Sequence, residues 1–380
     1  MSIVKFSDVA HRAFTKEDRF NTDKIYYVGG EHIETGELFV HNKGTIKGST
    51  IGPMFYCGFK AGQILFVTRN PHLRKCGIVE FDGICSEKTF VIETKDRNVL
   101  LQEYLAMIMQ SDEFWDYCEE NKSGGVNFFL NWSTLADYEF DLPPISEQKK
   151  LTGKLFAAYR MKESYKKLLT ATQEMVKSQF IEMFGNPTSL VQKYPLEKLG
   201  DCCLLNPRRP QISICDSDKV SFVPMSSVSE DGHLYDVKDE EYGNVKKGFT
   251  YFASNDVLFA KITPCMENGK GAIAKGLTKN IGMGSTEFHV LRPIGGVSNP
   301  YWLLALTRMP IFREQAAKNM SGTGGQKRVG SSYLENYKVG LPPISEQNRF
   351  EEIYKQADKS EFELRKSIEA IDNVIKSLIN

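Results

Sequence analysis

One segment of seven residues occurs twice in this chain of 380 residues. Residues 142–148 read Leu-Pro-Pro-Ile-Ser-Glu-Gln, and residues 341–347 repeat the same seven residues without a change. An identity of this length between two distant segments predicts an internal duplication. Each copy is expected to hold a globular block that ends at the segment, followed by a long helix that begins there.

Other features recur in the same order in both copies. Each block carries an apolar run typical of a buried strand, then a stretch with apolar residues three and four positions apart, then a glycine-rich loop. The matching pairs are residues 64–67 and 257–260, residues 100–121 and 300–319, and residues 123–125 and 321–325. These patterns predict two mixed, strand-rich blocks, each with one long helix inside it.

The repeated segment has the features of a helix start. Its two prolines force an extended lead-in, and Ser146 and Ser345 are the expected N-cap residues. The first of the two helices that follow is expected to run to Phe184. Gly185 would then adopt the left-handed conformation that ends many helices, with Pro187 beyond it.

Apolar residues in both helices alternate in steps of four and three, which is the seam of a coiled coil. Lys162 and Gln179 interrupt the seam of the first helix, and Glu361 occupies in the second helix the place that Lys162 has in the first. The predicted seam residues are Leu151, Leu155, Tyr165, Leu169 and Val176, then Phe350, Tyr354, Leu364, Ile368, Ile371 and Ile375.

Charge favours pairing of these two helices with each other. Residues 146–184 carry eight basic and four acidic side chains, whereas residues 345–380 carry six basic and eight acidic ones. Because the copies repeat, the pairing should be antiparallel about a pseudo-two-fold axis. The alternative is that each helix packs only on its own block.

The expected fold class is therefore α+β, with two mixed α/β blocks separated by two long helices that pair as an antiparallel coiled coil. The expected blocks are residues 1–141 and 187–340, and the expected helical spacers are residues 142–186 and 341–380.

Composition narrows the function classes. The formal net charge is zero, yet residues 245–330 carry twelve basic against four acidic side chains, and residues 40–90 carry seven against three. Two basic segments, one per copy, suit a protein that binds a polyanion at two places, although a solvated surface explains each of them equally well. The sequence has no apolar run near the roughly 18 residues that a membrane span needs, and no signal peptide is apparent. A cytoplasmic protein without a membrane partner is expected.

Motifs of known catalysts are missing from the sequence. It holds neither a phosphate-binding glycine loop followed by Lys-Ser/Thr nor a dinucleotide-binding glycine motif after a strand. Asp82, Glu93 and Lys95 could form a metal-dependent nuclease set, but the second copy has no counterpart. The cysteines and histidines show no metal-ligand spacing. No catalytic residue, metal or cofactor is predicted.

Polar loops offer a better candidate site. The loop after one strand of each block, and the glycine-rich loop of the second, are rich in the side chains that contact phosphates and read base edges. The candidate DNA-binding residues are Arg69, Asn70, His72, Arg74 and Lys75 in the first block, and Lys261, Asn268, Lys270, Gln326, Lys327 and Arg328 in the second.

The motifs taken together resemble a known family, the DNA-specificity subunits of type I restriction–modification systems. The resemblance is carried by residues 255–271 and 284–288, by both copies of the repeated segment, by residues 183–187, and in the first block by residues 69–75 and 81–86. It implies that the blocks are target-recognition domains, each reading one half of a split site in double-stranded DNA.

The resemblance also implies partners and a division of labour. The two helices would set the spacing between the half-sites and dock two methyltransferase subunits, and restriction subunits that combine motor and nuclease would complete the complex. The specificity subunit would have no catalytic centre of its own. Two alternatives stay open: a stand-alone site-specific nuclease or methyltransferase, and a scaffold whose blocks bind protein.

Overall fold

A computed structural model describes residues 2–186, 193–211, 213–323 and 325–380. Of the features predicted from the sequence, Pro187 after the first long helix and Gly324 in the second glycine-rich loop lie outside these residues. The chain divides into two compact units. The first unit holds Met1–Lys166 with Lys366–Asn380, and the second holds Lys167–Arg365.

The first unit is built around two sheets of five strands, in the orders β3-β7-β10-β4-β6 and β2-β11-β8-β9-β5, and a pair formed by β1 and β12. Its elements are β1 Ser2–Lys5, α1 Phe6–Val9, β2 Ala10–Arg12, β3 Thr15–Lys16, β4 Tyr26–Val28, β5 Phe39–Val40, β6 Gly44–Thr45, β7 Phe55–Phe59, β8 Ile64–Val67, β9 Cys76–Val79, β10 Gly83–Ser86, β11 Thr89–Thr94, α2 Gln102–Ile108, α3 Asp112–Glu120, α4 Trp132–Ala136, β12 Glu139–Leu142 and the start of α5, Ile145–Phe184.

The second unit has sheets of four strands, in the orders β14-β21-β18-β19 and β16-β15-β20-β17, with the pairs β13-β24 and β22-β23. Its elements are β13 Leu196–Lys198, α6 Leu199–Cys202, β14 Cys203–Leu205, β15 Lys219–Val223, β16 Lys238–Glu241, α7 Tyr242–Val245, β17 Thr250–Ala253, β18 Val257–Ala260, β19 Gly271–Ile273, β20 Ile281–Gly284, β21 Phe288–Pro293, α8 Pro300–Arg308, α9 Pro310–Lys318, β22 Met320–Ser321, β23 Arg328–Val329, α10 Ser331–Asn336, β24 Lys338–Gly340 and most of α11, Ile344–Ile379.

The internal repeat is visible inside each unit. In the first unit, β1 pairs with β12, so the two ends of the block lie side by side. The amide of Phe6 donates to the carbonyl of Tyr138 across 2.7 Å. In the second, β13-β24 does the same and the amide of Leu199 donates to the carbonyl of Tyr337 across 2.8 Å. The mixed α/β class predicted from the sequence is confirmed.

The single long helix predicted inside each block is wrong, because two short helices stand in its place. In the first unit α2 ends at Ile108, and Ser111 has an extended backbone that prevents a continuous helix. Its side chain begins α3 by accepting from the amide of Phe114 across 3.2 Å. In the second unit Met309 has an extended backbone and Pro310 is the first residue of α9. Proline has no N–H to continue the preceding helix and disfavours helical backbone in the residue before it.

The N-cap assignment to Ser146 and Ser345 is also wrong. The helices α5 and α11 begin one residue earlier, at Ile145 and Ile344, so that each serine lies in the first turn. The carbonyl of Pro144 accepts from the amides of the next turn, as the proline before α11 does. At the other end the prediction is confirmed: α5 stops at Phe184, and Gly185 follows with φ +84°.

The antiparallel pairing of α5 and α11 is confirmed within each unit. In the first unit Leu155 and Tyr159, near the start of α5, share a core with Ile371 and Ile375, near the end of α11. In the second unit the aromatic rings of Phe180 and Phe350 lie 5.5 Å apart, edge to face. Start meets end in one unit and end meets start in the other, as an antiparallel pair requires.

All the predicted seam residues are at least half-buried. The buried ones are Leu155, Phe350, Tyr354, Ile371 and Ile375, and the half-buried ones are Leu151, Tyr165, Leu169, Val176, Leu364 and Ile368. The seam also includes three buried aromatic residues that the spacing did not predict, Tyr159, Phe180 and Phe184. Among the described residues, no helix is both long enough and apolar enough to cross a membrane.

Candidate nucleic-acid interface

Three distant segments of the second unit meet at one edge. The amide of Lys261, just after β18, donates to the carbonyl of Glu287 across 2.9 Å. The amide of Val329 donates to the carbonyl of Lys261 across 2.9 Å, and the amide of Thr263 donates to the carbonyl of Lys327 across 3.0 Å. The loop after β18, the turn before β21 and the strand β23 are thereby joined through their backbones.

The first unit builds the same edge from corresponding residues. The amide of Thr68 donates to the carbonyl of Lys88, that of Leu130 to the carbonyl of Thr68, and that of Asn70 to the carbonyl of Phe128, each across 2.9 Å. We call this arrangement the three-segment edge: residues 68–70, 88 and 128–130 in the first unit, and residues 261–263, 287 and 327–329 in the second. Backbone bonds of this kind are independent of side chains, so the edge can present different side chains on one frame.

In the second unit the three-segment edge presents a guanidinium held by a carboxylate. Arg328 donates to Glu287 through Nε, across 2.9 Å, and through Nη2, across 2.8 Å. This bidentate pair raises the pKa of Arg328 and lowers the pKa of Glu287. Arg328 therefore stays charged, and its orientation is fixed by two parallel bonds.

In the first unit an aromatic ring replaces that arginine. Phe129 stands 199 positions before Arg328, and Lys88 stands the same distance before Glu287. The guanidinium carbon of Arg69 lies 5.3 Å from the ring centre of Phe129, within the range of a cation–π contact. Both units thus hold an arginine at the edge, by different means.

The other predicted residues of the first unit differ in how available they are. His72 is exposed and Asn70 is half-buried, with a left-handed backbone at φ 52°. Arg74 pairs with Asp112 and with Asp116, the latter across 3.7 Å. Lys75 donates its Nζ to the carbonyl of Gly30 across 2.6 Å. The charges of Arg74 and Lys75 therefore have partners within the unit.

The other predicted residues of the second unit lie on the edge or beside it. Lys327 and Gln326 are exposed, while Lys261 and Lys270 are half-buried. Asn268 donates its Nδ2 to Glu230 across 2.8 Å. The loop that carries Asn268 is also bonded to a residue of α9, a contact that the sequence did not predict.

Arg313 of α9 holds this loop. It donates through Nη1 to the carbonyl of Glu267 across 2.7 Å. A Cβ atom added to Gly269, which has φ +80°, would lie 2.8 Å from the Arg313 guanidinium. The left-handed backbone favours a glycine there, and a larger residue would displace the guanidinium of Arg313 from its present position. Sequence reasoning missed Arg313 because a lone arginine on a short helix gives no local signal of such a role.

A second loop of this unit, residues 229–235, bonds to the long helix α11. His233 contacts Asp358 through Nε2 across 2.6 Å, and Asp231 pairs with Arg365. The carboxylate of Asp231, 3.3 Å from Nδ1, and that of Asp358 raise the pKa of His233 to about 9, although burial opposes the charge. A cavity of about 590 Å³ lies beside these residues, also lined by Arg308.

The residues considered for a nuclease have separate partners. Asp82 accepts from Lys24 and from the amide of Ala61, while Glu93 accepts from Gln63. Lys95 donates to the carbonyl of Ser7 across 2.6 Å. In the part of the chain that the structure describes, no three His, Cys, Asp or Glu side chains are grouped to hold a metal ion.

Residues 196–372 match the family described as type I restriction modification DNA specificity domain. The match covers slightly less than half of the chain. It agrees with the resemblance that the sequence motifs indicated, and the matched region contains the whole three-segment edge of the second unit.

Individual relatives agree with this match. The EcoEI specificity subunit of Escherichia coli is 36% identical over 200 residues, which cover 51% of this chain and 33% of that protein. The EcoAI specificity subunit of Escherichia coli is 36% identical over 178 residues, covering 45% and 30% respectively. The chain thus spans about a third of the length of these curated relatives.

Two solved structures share the fold along the chain. The S subunit of a type I restriction–modification system from M. genitalium has a TM-score of 0.59 at 10% identity, with 100% of this chain and 94% of that one covered. A chain from a structural study of complex assembly in a type I restriction–modification system has a TM-score of 0.56 at 17% identity, covering 100% and 96%. At these identities the likeness concerns the fold alone.

Proposed function

We propose that this chain is a non-catalytic DNA-specificity subunit that recognises a split sequence in double-stranded DNA, one half per block. The observation that supports this most is the three-segment edge, which is built twice with the same backbone bonds and different side chains. A protein that reads two different half-sites needs this combination of a common frame and variable contacts.

The chemistry of the edge suits DNA. Arginine is the side chain most often used to read guanine, through two bonds to O6 and N7, and it also binds phosphate. Glu287 engages Nε and Nη2 of Arg328, so Nη1 makes no bond to that carboxylate. Exposed Lys327 adds charge beside it. The remaining candidates, including His72 and Asn70, would contribute contacts to bases or phosphates.

The long helices would act as spacers between two target-recognition domains, with the limits 1–141, 142–186, 187–340 and 341–380. The helix α5 has 40 residues, which corresponds to about 60 Å at 1.5 Å per residue. At about 3.4 Å per base pair this exceeds one turn of B-DNA. A spacer of this length can hold two reading surfaces on successive parts of one DNA face.

The same helices offer a place for partner subunits. In the second unit, α5 exposes three large apolar side chains, Leu168, Met175 and Ile181, at 51%, 43% and 43%. Leu168 and Met175 are seven positions apart, so they share one face of the helix. Exposed apolar residues grouped on one face can form a docking surface. We assign them to a methyltransferase subunit, two of which would bind per chain, with restriction subunits joining the complex in the cytoplasm.

The experiment measures DNA binding of the chain with its methyltransferase subunits at several salt concentrations. A DNA reader that neutralises several phosphates gives a steep decrease in log K with log salt, with a slope of about −0.9 per contact. A slope near zero would favour a protein-binding scaffold. In a parallel arm the chain alone is incubated with DNA and either Mg²⁺ or a methyl donor, and cleavage or methylation there would overturn the non-catalytic assignment.

A further inference from the structure

The glutamine that ends the repeated segment is fully buried in both copies. Gln148 and Gln347 are each 0% exposed. A primary amide in such a place must find partners for its oxygen and for its two N–H groups, since a buried polar group without a partner costs about 1–3 kcal/mol. In both copies all the partners are backbone groups.

In the first unit Gln148 connects three segments. Its Oε1 accepts from the amide of Leu101 across 2.9 Å. Its Nε2 donates to the carbonyl of Val99 across 3.0 Å and to the carbonyl of Pro143 across 2.8 Å. The first turn of α5 is thereby bonded both to the lead-in before it and to the chain that enters α2.

In the second unit Gln347 repeats each bond. Its Oε1 accepts from the amide of Asn299 across 2.8 Å. Its Nε2 donates to the carbonyl of Val297 across 2.9 Å and to the carbonyl of Pro342 across 2.8 Å. The first turn of α11 is therefore fixed to the entrance of α8, in the same way as α5 is fixed to α2.

These bonds determine the direction in which each helix leaves its block. Side-chain packing allows small rotations at a joint, because apolar contacts have no directional requirement. Three hydrogen bonds from one amide do have such a requirement. Their partners are backbone groups within three residues of the first residues of α2 and α5 in one unit, and of α8 and α11 in the other. The joint is therefore stiff for as long as the glutamine is present.

We propose that Gln148 and Gln347 are positioning residues that set the permitted gap between the two DNA half-sites. This inference rests on the proposed function, because it concerns the distance between two DNA-reading surfaces. The joint would determine how precisely that distance is kept. Neither glutamine touches the DNA; each acts through the direction of its helix.

A small rotation at the joint is enough to matter. A block of about 150 residues has a radius of gyration of roughly 15 Å. A tilt of about 13° at its base moves a surface at that distance by about 3.4 Å, which is the rise of one base pair. A joint that loosens by this amount would accept gaps one base pair longer or shorter.

The test uses the chain in complex with its methyltransferase subunits. The gap methylated by the wild type is determined first, and then duplexes with the same half-sites and a gap one base pair shorter, equal or one longer are compared. Gln148→Ala and Gln347→Ala should each lower the ratio of methylation at the right gap to that at the wrong gaps by about tenfold. The preferred bases within both half-sites should not change.

Gln102→Ala is the matched control. Gln102 is 1% exposed, accepts from the amide of Thr94 across 2.9 Å and donates to the carbonyl of Ile92 across 3.0 Å. It has the same kind of bonds but stays inside the first block. A merely structural loss lowers methylation at all gaps alike, so the ratio should remain at the wild-type value in this variant.

The outcomes separate the two claims. If the wild-type complex methylates no split sequence, the proposed function fails. If it does, and both alanine variants keep the wild-type ratio, this inference alone is overturned. Should an alanine variant not assemble, Gln148→Met and Gln347→Met keep the volume and are measured in the same way. Exchange of the Leu101 amide hydrogen, which should be faster in the Gln148 variants, shows independently that the bond is lost.

Discussion

Lys162 of α5 donates to Asp372 of α11 across 2.8 Å, at a seam position where a coiled coil usually has an apolar residue. The same ammonium lies 3.0 Å from Glu37 of the first block. Burial opposes its charge, yet the hydrogen bonds to Asp372 and Glu37 outweigh burial and raise the pKa of Lys162. The apparent interruption of the seam is therefore the point where both helices and the block are joined.

Replacement of Lys162 should destabilise the first unit. Lys162→Ala removes the charge that two carboxylates share, one of them only 19% exposed. Losing one partner of a buried ion pair costs about 3–5 kcal/mol; because Asp372 is 47% exposed, we expect about 2 kcal/mol. Urea unfolding monitored by circular dichroism measures this loss in the free energy of unfolding. The control is Lys177→Ala, which breaks an exposed pair with Glu174 and should change stability by less than about 0.5 kcal/mol. Equal effects would contradict this account.

The contact between His233 and Asp358 should make the second unit sensitive to alkaline pH. The pKa of His233 is about 9 in the folded chain, above its ordinary value of 6.5. The folded state therefore binds the proton more tightly than the unfolded state. The stabilisation is complete below pH 6.5, decreases as the pH rises, and is lost above about pH 9. The difference in melting temperature between wild type and His233→Gln should therefore shrink from pH 6 to pH 10. A difference that stays constant over this range would show that the proton has no part in it.

Arg328 should matter for one half-site only. Arg328→Ala removes a bidentate contact worth about 1–3 kcal/mol of discrimination against a wrong base, or weakens binding uniformly if its partner is a phosphate. In either case the half-site read by the first block should keep its base preferences. Sequencing of the DNA that the complex selects from a random library measures both half-sites at once.

Glu287→Gln is the companion variant. It keeps the size of the side chain but removes the charge that orients Arg328, and should give a smaller effect at the same half-site. Arg292→Lys is the matched control, because Arg292 forms a similar bidentate pair with the buried Asp256 of the same unit. A loss of selectivity at both half-sites in Arg328→Ala would contradict the assignment of one half-site per block.

The sequence predicted the long-range plan better than the local detail. The repeated segment predicted the two copies, and the periodicity of the seam predicted the antiparallel helix pair. Gly185 predicted the end of α5. The predictions from the sequence were wrong where two signals in the same segment disagreed. Apolar spacing continued through Ser111 and Met309, although the helix breaks at both, at a side-chain cap in the first case and before a proline in the second.

The candidate site shows the same limit. Basic side chains near glycine marked the loops of the three-segment edge, but Glu287 and Arg313 became visible only through their partners. Arg328 and Glu287 lie 41 positions apart in the sequence, and nothing local connects them. The role of Gln148 was also not predicted. A serine that follows two prolines is a common N-cap signal, whereas a glutamine in the first turn of a helix has no characteristic role.

The proposed spacer role of the helices predicts a change in the gap. Four residues added to α5, with four added opposite them in α11 to preserve the pairing, extend the helices by about 6 Å. The gap between the half-sites should grow by roughly two base pairs, at about 3.4 Å each. Methylation of duplexes with graded gaps measures this shift, and an unchanged optimum would show that the helices do not set the distance.

The proposed function requires that the chain directs methylation to one split sequence through two blocks. Sequencing of methylated bases across the genome of a cell that carries this chain and its partner subunits tests it most directly. We predict one sequence motif made of two specific half-sites separated by a gap of fixed length and unspecified bases. A continuous motif without a gap, or methylation that is the same with and without this chain, would contradict the account.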